Sequence, residues 1–179
     1  ISLFFQQVFD FNTEQFSILT SLSHFIVAFA MFIAPWIKNR FGYKKGIIGV
    51  QSLAVVCLIL FATTEWYKHL AIAPIIAMVM YVIRQPLMNS AGPLTSELSL
   101  EYVGAKNREM ISSIDACIWN SGWLFSAIIF EYLRKKNMPY SNIFLITAAL
   151  YSLGILANAW IISDLEKRKK VGKQWTSRI

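Results

Sequence analysis

A bilayer core needs about 20 consecutive apolar residues per helix, and five stretches of this chain answer to that length. They run from Gln15 to Ile37, Ile47 to Thr64, Leu70 to Ser90, Met110 to Leu133 and Ile143 to Ile162. Core helices of soluble domains are usually shorter and carry a polar face, whereas these runs are apolar nearly all round. None shows the period-2 alternation of a barrel strand, so internal satisfaction of the backbone in hydrocarbon demands helices. Composition agrees: 56% of the residues are apolar and 15% charged, and the mean hydropathy is +0.49. Disorder is excluded on the same grounds.

The expected fold is thus an all-α polytopic membrane helix bundle. The bundle spans residues 1–163, with a stub at 1–9 and helices at about 15–37, 47–64, 70–90, 110–133 and 143–162, and a basic tail follows at 164–179. The connections, Lys38 to Gly46, Glu65 to His69, Leu98 to Glu109 and Arg134 to Asn142, are short, which makes successive helices antiparallel neighbours. The chain begins without an initiator Met, a basic n-region or a cleavage site, and reads as a cut inside a longer polypeptide.

Counting Lys and Arg on alternate sides gives twelve against four, excluding Arg84 within a span. The richer side holds Lys38, Arg40, Lys44, Lys45, Lys106, Arg108 and the tail. By the positive-inside rule that side and the C-terminus are cytoplasmic, in a cell (inner) membrane. The net charge of +7 then reflects topology; the tail reads as a stop-transfer anchor with no specific ligand or, alternatively, as a site for anionic lipid headgroups, and no nucleic-acid partner is expected. Cys57 and Cys117 stand alone in apolar runs and read as small packing residues.

The loop Pro35-Trp36-Ile37-Lys38-Asn39-Arg40-Phe41-Gly42-Tyr43-Lys44-Lys45-Gly46 needs glycine for a tight reversal and cations for orientation. It resembles the loop signature of the major facilitator superfamily, Gly-x-x-x-Asp-Arg-x-Gly-Arg-Lys, in its second-half copy. Arg40, Gly42 and Lys44 match, while Pro35, Asn39 and Tyr43 stand where that pattern has Gly, Asp and Arg. The order of later features is similar to helices 10 and 11 of that superfamily. Arg84-Gln85-Pro86 and Asn89-Ser90-Ala91-Gly92-Pro93 come first, then Arg108, then a helix with Ser112, Ser113, Ala116, Ser121 and Gly122. The resemblance implies the C-terminal six-helix half of a twelve-helix major facilitator fold, from the end of helix 7 to the tail after helix 12, with an N-terminal half missing.

Arg84 lies about 20 Å of helix from Leu70, too deep to reach the surface easily. Charges at such depth usually face the bundle interior or water and carry function. Arg84 is a candidate substrate-binding residue, against the alternative of a structural Arg bonded to carbonyls or to an acid in the missing half. If the intervening turn centres near Gly104, Arg84 and Asp115 are separated by about 13 Å along the axis, so no direct ion pair is expected. Asp115 then reads either as a proton-coupling site, if burial raises its pKa, or as a water-exposed carboxylate of the inner vestibule.

Asp115, Trp119 and Trp123 recur at i, i+4 and i+8 and share one helix face. Trp119 and Trp123 are candidates to line a cavity for an aromatic, cationic or amphipathic solute, and lipid-facing packing is the alternative. Asn120 would add a hydrogen bond. His24 reads as a packing residue or a proton relay. Pro74, Pro86 and Pro93 with Gly92 predict bends in the inner half of their helix, of the kind transporters use.

No HExxH, GxSxG or Walker-type motif and no cluster of acids for Mg²⁺ appears, so neither an enzyme nor a cofactor is expected. The resemblance implies secondary active transport of a small-molecule substrate by alternating access, as symport or antiport, with protons as candidate coupling ions. The alternative is a non-transporting membrane module, a self-pairing half-bundle or scaffold of a complex.

Overall fold

The computed structural model describes residues 1–103 and 107–176, and it is helical throughout, with no strand among the described residues. Gly104, Lys106 and Arg178, used above for the hairpin turn and the loop charges, lie outside the described residues. So do the side chains of Arg108, Lys169, Lys170 and Lys173.

Helix α1 (Ser2–Phe9) ends at Asp10, whose left-handed φ of 55° turns the chain while its N–H bonds the Phe5 carbonyl. Asn12 then starts α2 (Thr13–Tyr43) with a reciprocal cap. Its side chain accepts from the Gln15 N–H at 2.8 Å, and the Gln15 side chain accepts from the Asn12 N–H at 3.1 Å. Two donors that hydrocarbon would otherwise strand are thereby satisfied.

The expected loop from Lys38 to Gly46 is not an irregular loop. Helical angles continue to Tyr43, broken only at Gly42 (φ 74°, ψ 173°), and resume in a wide π-helical turn, Lys44–Gly49, that leads into α3 (Val50–Thr63). One glycine suffices because this backbone region is closed to residues with a Cβ, and its neighbours need not leave the helix.

After turns at 64–72, α4 (Ala73–Val103) runs as one helix through Pro86 and Pro93, about 13 residues beyond the expected end at Ser90. The predicted bends do not interrupt the helix. Side chains here bond back to the helix: Asn89 to the Gln85 carbonyl at 2.8 Å, and Thr95 to those of Ala91 and Gly92 at 3.0 and 2.9 Å. Helix α5 (Arg108–Lys135) follows, and a turn with Asn137 at φ 56° leads to α6 (Tyr140–Thr176). Much of the expected tail at 164–179 is therefore a continuation of α6.

Four segments, Thr13–Ile33, Pro35–Thr63, Glu109–Lys135 and Tyr140–Arg168, are long and apolar enough to cross a membrane. The fifth expected span, within α4, is long enough but is interrupted by Arg84, Gln85 and Asn89. It instead takes the centre of the bundle, packed against α2 and α3, with α6 against α3 and α5 on the flank of α4.

The core has two parts. Phe4 and Phe5 of α1 are fully buried and meet Phe61 of α3 and Tyr81, Tyr140 and Phe144 of α4 and α6. Ring centroids such as Phe4–Phe61 (4.8 Å) and Phe61–Phe144 (5.1 Å) lie in the range of favourable aromatic pairs. The segment expected as a stub is thus the centre of this cluster. Ile47, Leu94, Leu98, Ile162 and Leu165 form the second cluster at the other end. Lipid tails are as apolar as these side chains, so close packing rather than exclusion of water favours the assembly. The outer surface fits that solvent: Phe32 is 84% exposed, which is costly in water and ordinary in lipid.

Candidate functional site

On α4, Gly92, Thr95, Ser96 and Ser99 recur at i, i+3, i+4 and i+7; on α5, Ser112, Asp115, Ala116, Trp119 and Asn120 recur at i, i+3, i+4, i+7 and i+8. Helical periodicity gathers each set on one face, and the two faces meet across an open groove of about 470 Å³, whose lining also includes Leu100 and Ile111. Small side chains leave this space, and their hydroxyls make it partly polar.

Among the described residues, Asp115 is the only formally charged one lining the groove. Its carboxylate accepts the Ser96 hydroxyl at 3.5 Å and has no ion-pair partner among the described residues. The Asn120 amide nitrogen donates to the Ala116 carbonyl at 2.7 Å. Trp119 and Trp123 pair edge to face, 6.3 Å between centroids, and both are two-thirds exposed.

The structure brings Asp115, Trp119 and Asn120 together. It leaves Arg84 and Trp123 outside the groove lining. Arg84 belongs to the buried face of α4, only 8% exposed, with its guanidinium 5.8 Å from the Tyr151 ring of α6. Its Nε finds no hydrogen-bond partner among the described residues. His24 bonds the Thr20 carbonyl on its own helix at 2.8 Å.

In the loop signature, Gly42 has the positive φ just described, and Arg40 and Lys44 are exposed. What the residues did not announce is the polar lattice around them. Lys38 pairs with Glu97 of α4 and lies 5.0 Å from the Tyr43 ring. Tyr102 of α4 donates its hydroxyl to Asp164 of α6 at 2.9 Å, and Arg168 bonds both that carboxylate (2.8 Å) and the phenol oxygen (3.0 Å). Donation to Asp164 requires the protonated phenol, so this contact, with some desolvation, raises the Tyr102 pKa above its ordinary value. The i, i+4 spacing of Asp164 and Arg168 was the available sequence signal; nothing comparable marked Tyr102 or Glu97.

The opposite end is tied as well. Gln7 accepts from the Tyr140 hydroxyl (2.7 Å) and from Arg134 (3.1 Å), whose guanidinium sits 3.9 Å from the Tyr140 ring. The Glu65 carboxylate accepts the backbone N–H groups of Tyr140 and Ser141, placing negative charge at the start of α6. No group of three metal-binding side chains occurs among the described residues.

Known proteins add nothing to this geometry. No family profile, curated protein or solved structure matches the chain. Functional inference accordingly rests on the groove, the buried guanidinium and the two polar ends of the bundle.

Proposed function

We propose that this chain takes part in secondary active transport of a small solute, as the C-terminal half of a major facilitator-type bundle working by alternating access. The observation that carries the reading is the partly polar groove between α4 and α5, with a carboxylate that has no ion-pair partner among the described residues, set in an otherwise apolar membrane bundle. Ionisable groups within membrane helices are costly and mark solute or ion paths. The groove volume falls in the range of small-molecule sites. Asp115, Trp119 and Asn120 contact solute in this reading, Asp115 is also the candidate proton site, and Arg84 acts from the neighbouring buried face. Protons are the candidate coupling ion, and the end bearing Arg40 and Lys44 faces the cytoplasm of a cell membrane.

A second reading, a non-transporting module that pairs through α5, is favoured by one fact. No residue of α5 from Glu109 to Lys135 is buried, so a second helical body would cover it. Proteoliposomes with an internal pH dye distinguish the two. Under a pH gradient, a panel of amines, amino acids, sugars and carboxylates is added outside. Transport predicts saturable, solute-dependent proton movement that falls at least tenfold in Asp115→Asn; silence across the panel together with a stable oligomer held by α5 favours the module.

A further inference from the structure

The hydrogen bonding around the groove separates its donors from its acceptors. Thr95 and Ser99 spend their hydroxyl protons on carbonyls of α4, at 2.9–3.0 Å. Ser96 spends its proton on Asp115, and the Asn120 amide nitrogen donates to Ala116. What remains for a ligand is mostly the acceptor side, hydroxyl lone pairs, the Asn120 amide oxygen and a carboxylate with several vacant lone-pair positions, beside three neutral donors, the Ser112 hydroxyl, the Trp119 indole N–H and the second Asn120 amide hydrogen. The aromatic wall, Trp119, offers a negative π face that attracts cations. Arg84, the charge that would favour an anion, does not line the groove.

We infer that the α4/α5 groove binds a small organic cation, an ammonium group carried on an apolar or aromatic body. Asp115 neutralises the ammonium, Ser96 and Asn120 accept from it or from an attached N–H, and Trp119 covers the apolar body. A carboxylate solute would meet Asp115 with like charge, and among the described residues no cation lines the groove to offset it. The inference rests on the groove being a solute site, and it adds the sign of the solute's charge.

The test is equilibrium dialysis of the full chain in nanodiscs of zwitterionic lipid, which does not itself concentrate cations. The probe is radiolabelled phenethylammonium. Saturable binding is expected, displaced by unlabelled probe and at least tenfold less well by benzyl alcohol, benzoate or NaCl. Asp115→Asn should weaken binding about tenfold or more, Asp115→Glu should restore most of it, and Trp119→Leu should weaken it about threefold. Equal displacement by benzoate or benzyl alcohol would overturn the inference. Displacement by equimolar NaCl would overturn it too, in favour of an inorganic cation. These competitions use the wild-type chain, so they decide the matter even where Asp115→Asn fails to fold. Saturable cation binding without flux in proteoliposomes would retain the cation site and remove transport; flux without charge preference would do the reverse.

Discussion

Ser96 of α4 donates its hydroxyl to the Asp115 carboxylate of α5 across 3.5 Å, a long contact between two exposed side chains that bridges the groove. At that length the bond orients the carboxylate weakly. Ser96→Ala should therefore lower solute-driven proton flux in proteoliposomes by less than about threefold, against tenfold or more for Asp115→Asn. A Ser96→Ala loss as large as that of Asp115→Asn would show that the hydroxyl holds the solute as strongly as the carboxylate does.

Gly42 stands at φ 74° and ψ 173°, and a Cβ built there meets nothing within 4 Å. The cost of Gly42→Ala is thus one of backbone strain rather than crowding, about 1–3 kcal/mol. Asn tolerates the left-handed helical region, where ψ is near +47°, but not this ψ, so Gly42→Asn should be no better than Gly42→Ala. Thermal unfolding in detergent reads both; recovery by Asn would show that the turn is an ordinary left-handed one.

Arg84 is buried with an unpartnered Nε. Replacing a poorly satisfied buried charge by an apolar side chain of similar length is often neutral or stabilising. Arg84→Met should keep the melting temperature of the wild type or raise it, equivalent to about 1 kcal/mol, while lowering flux. A lower melting temperature would assign Arg84 to holding the bundle together.

Tyr102 is held protonated by donation to Asp164, and its pKa is raised. A folded-state pKa above the ordinary value of about 10 gives a contribution that is complete below that pH and lost as pH rises through the higher folded value. The phenolate absorbance missing from Tyr102→Phe should appear above pH 10, and the stability gap between wild type and variant should close over the same range. Ionisation of Tyr102 at or below pH 10 would contradict the contact.

Glu65 accepts two backbone N–H groups at the start of α6. Glu65→Ala should cost about 1 kcal/mol in unfolding free energy, and Glu65→Gln less, because it keeps an acceptor but loses the charge. Equal losses in the two variants would show that the charge and not the hydrogen bonding matters.

The apolar runs by themselves determined that the described residues are helical and that several helices suit a membrane, because hydrocarbon leaves a backbone no other way to satisfy its amides. Helical spacing also determined that Asp115 and Trp119 share a face and that Gly42 sits where the chain reverses. Only the tertiary structure decided which faces meet. Periodicity places a residue on its own helix but not the rotation of that helix against its neighbours, so it did not distinguish Asn120, in the groove, from Arg84, on the buried packing face of α4. The extent of α4 through two prolines, the burial of Phe4 and Phe5, and the Tyr102–Asp164–Arg168 contact were hidden for the same reason. Each depends on partners 50 or more residues away in sequence or on packing that tolerates a missing backbone donor, and neither is written in a local pattern.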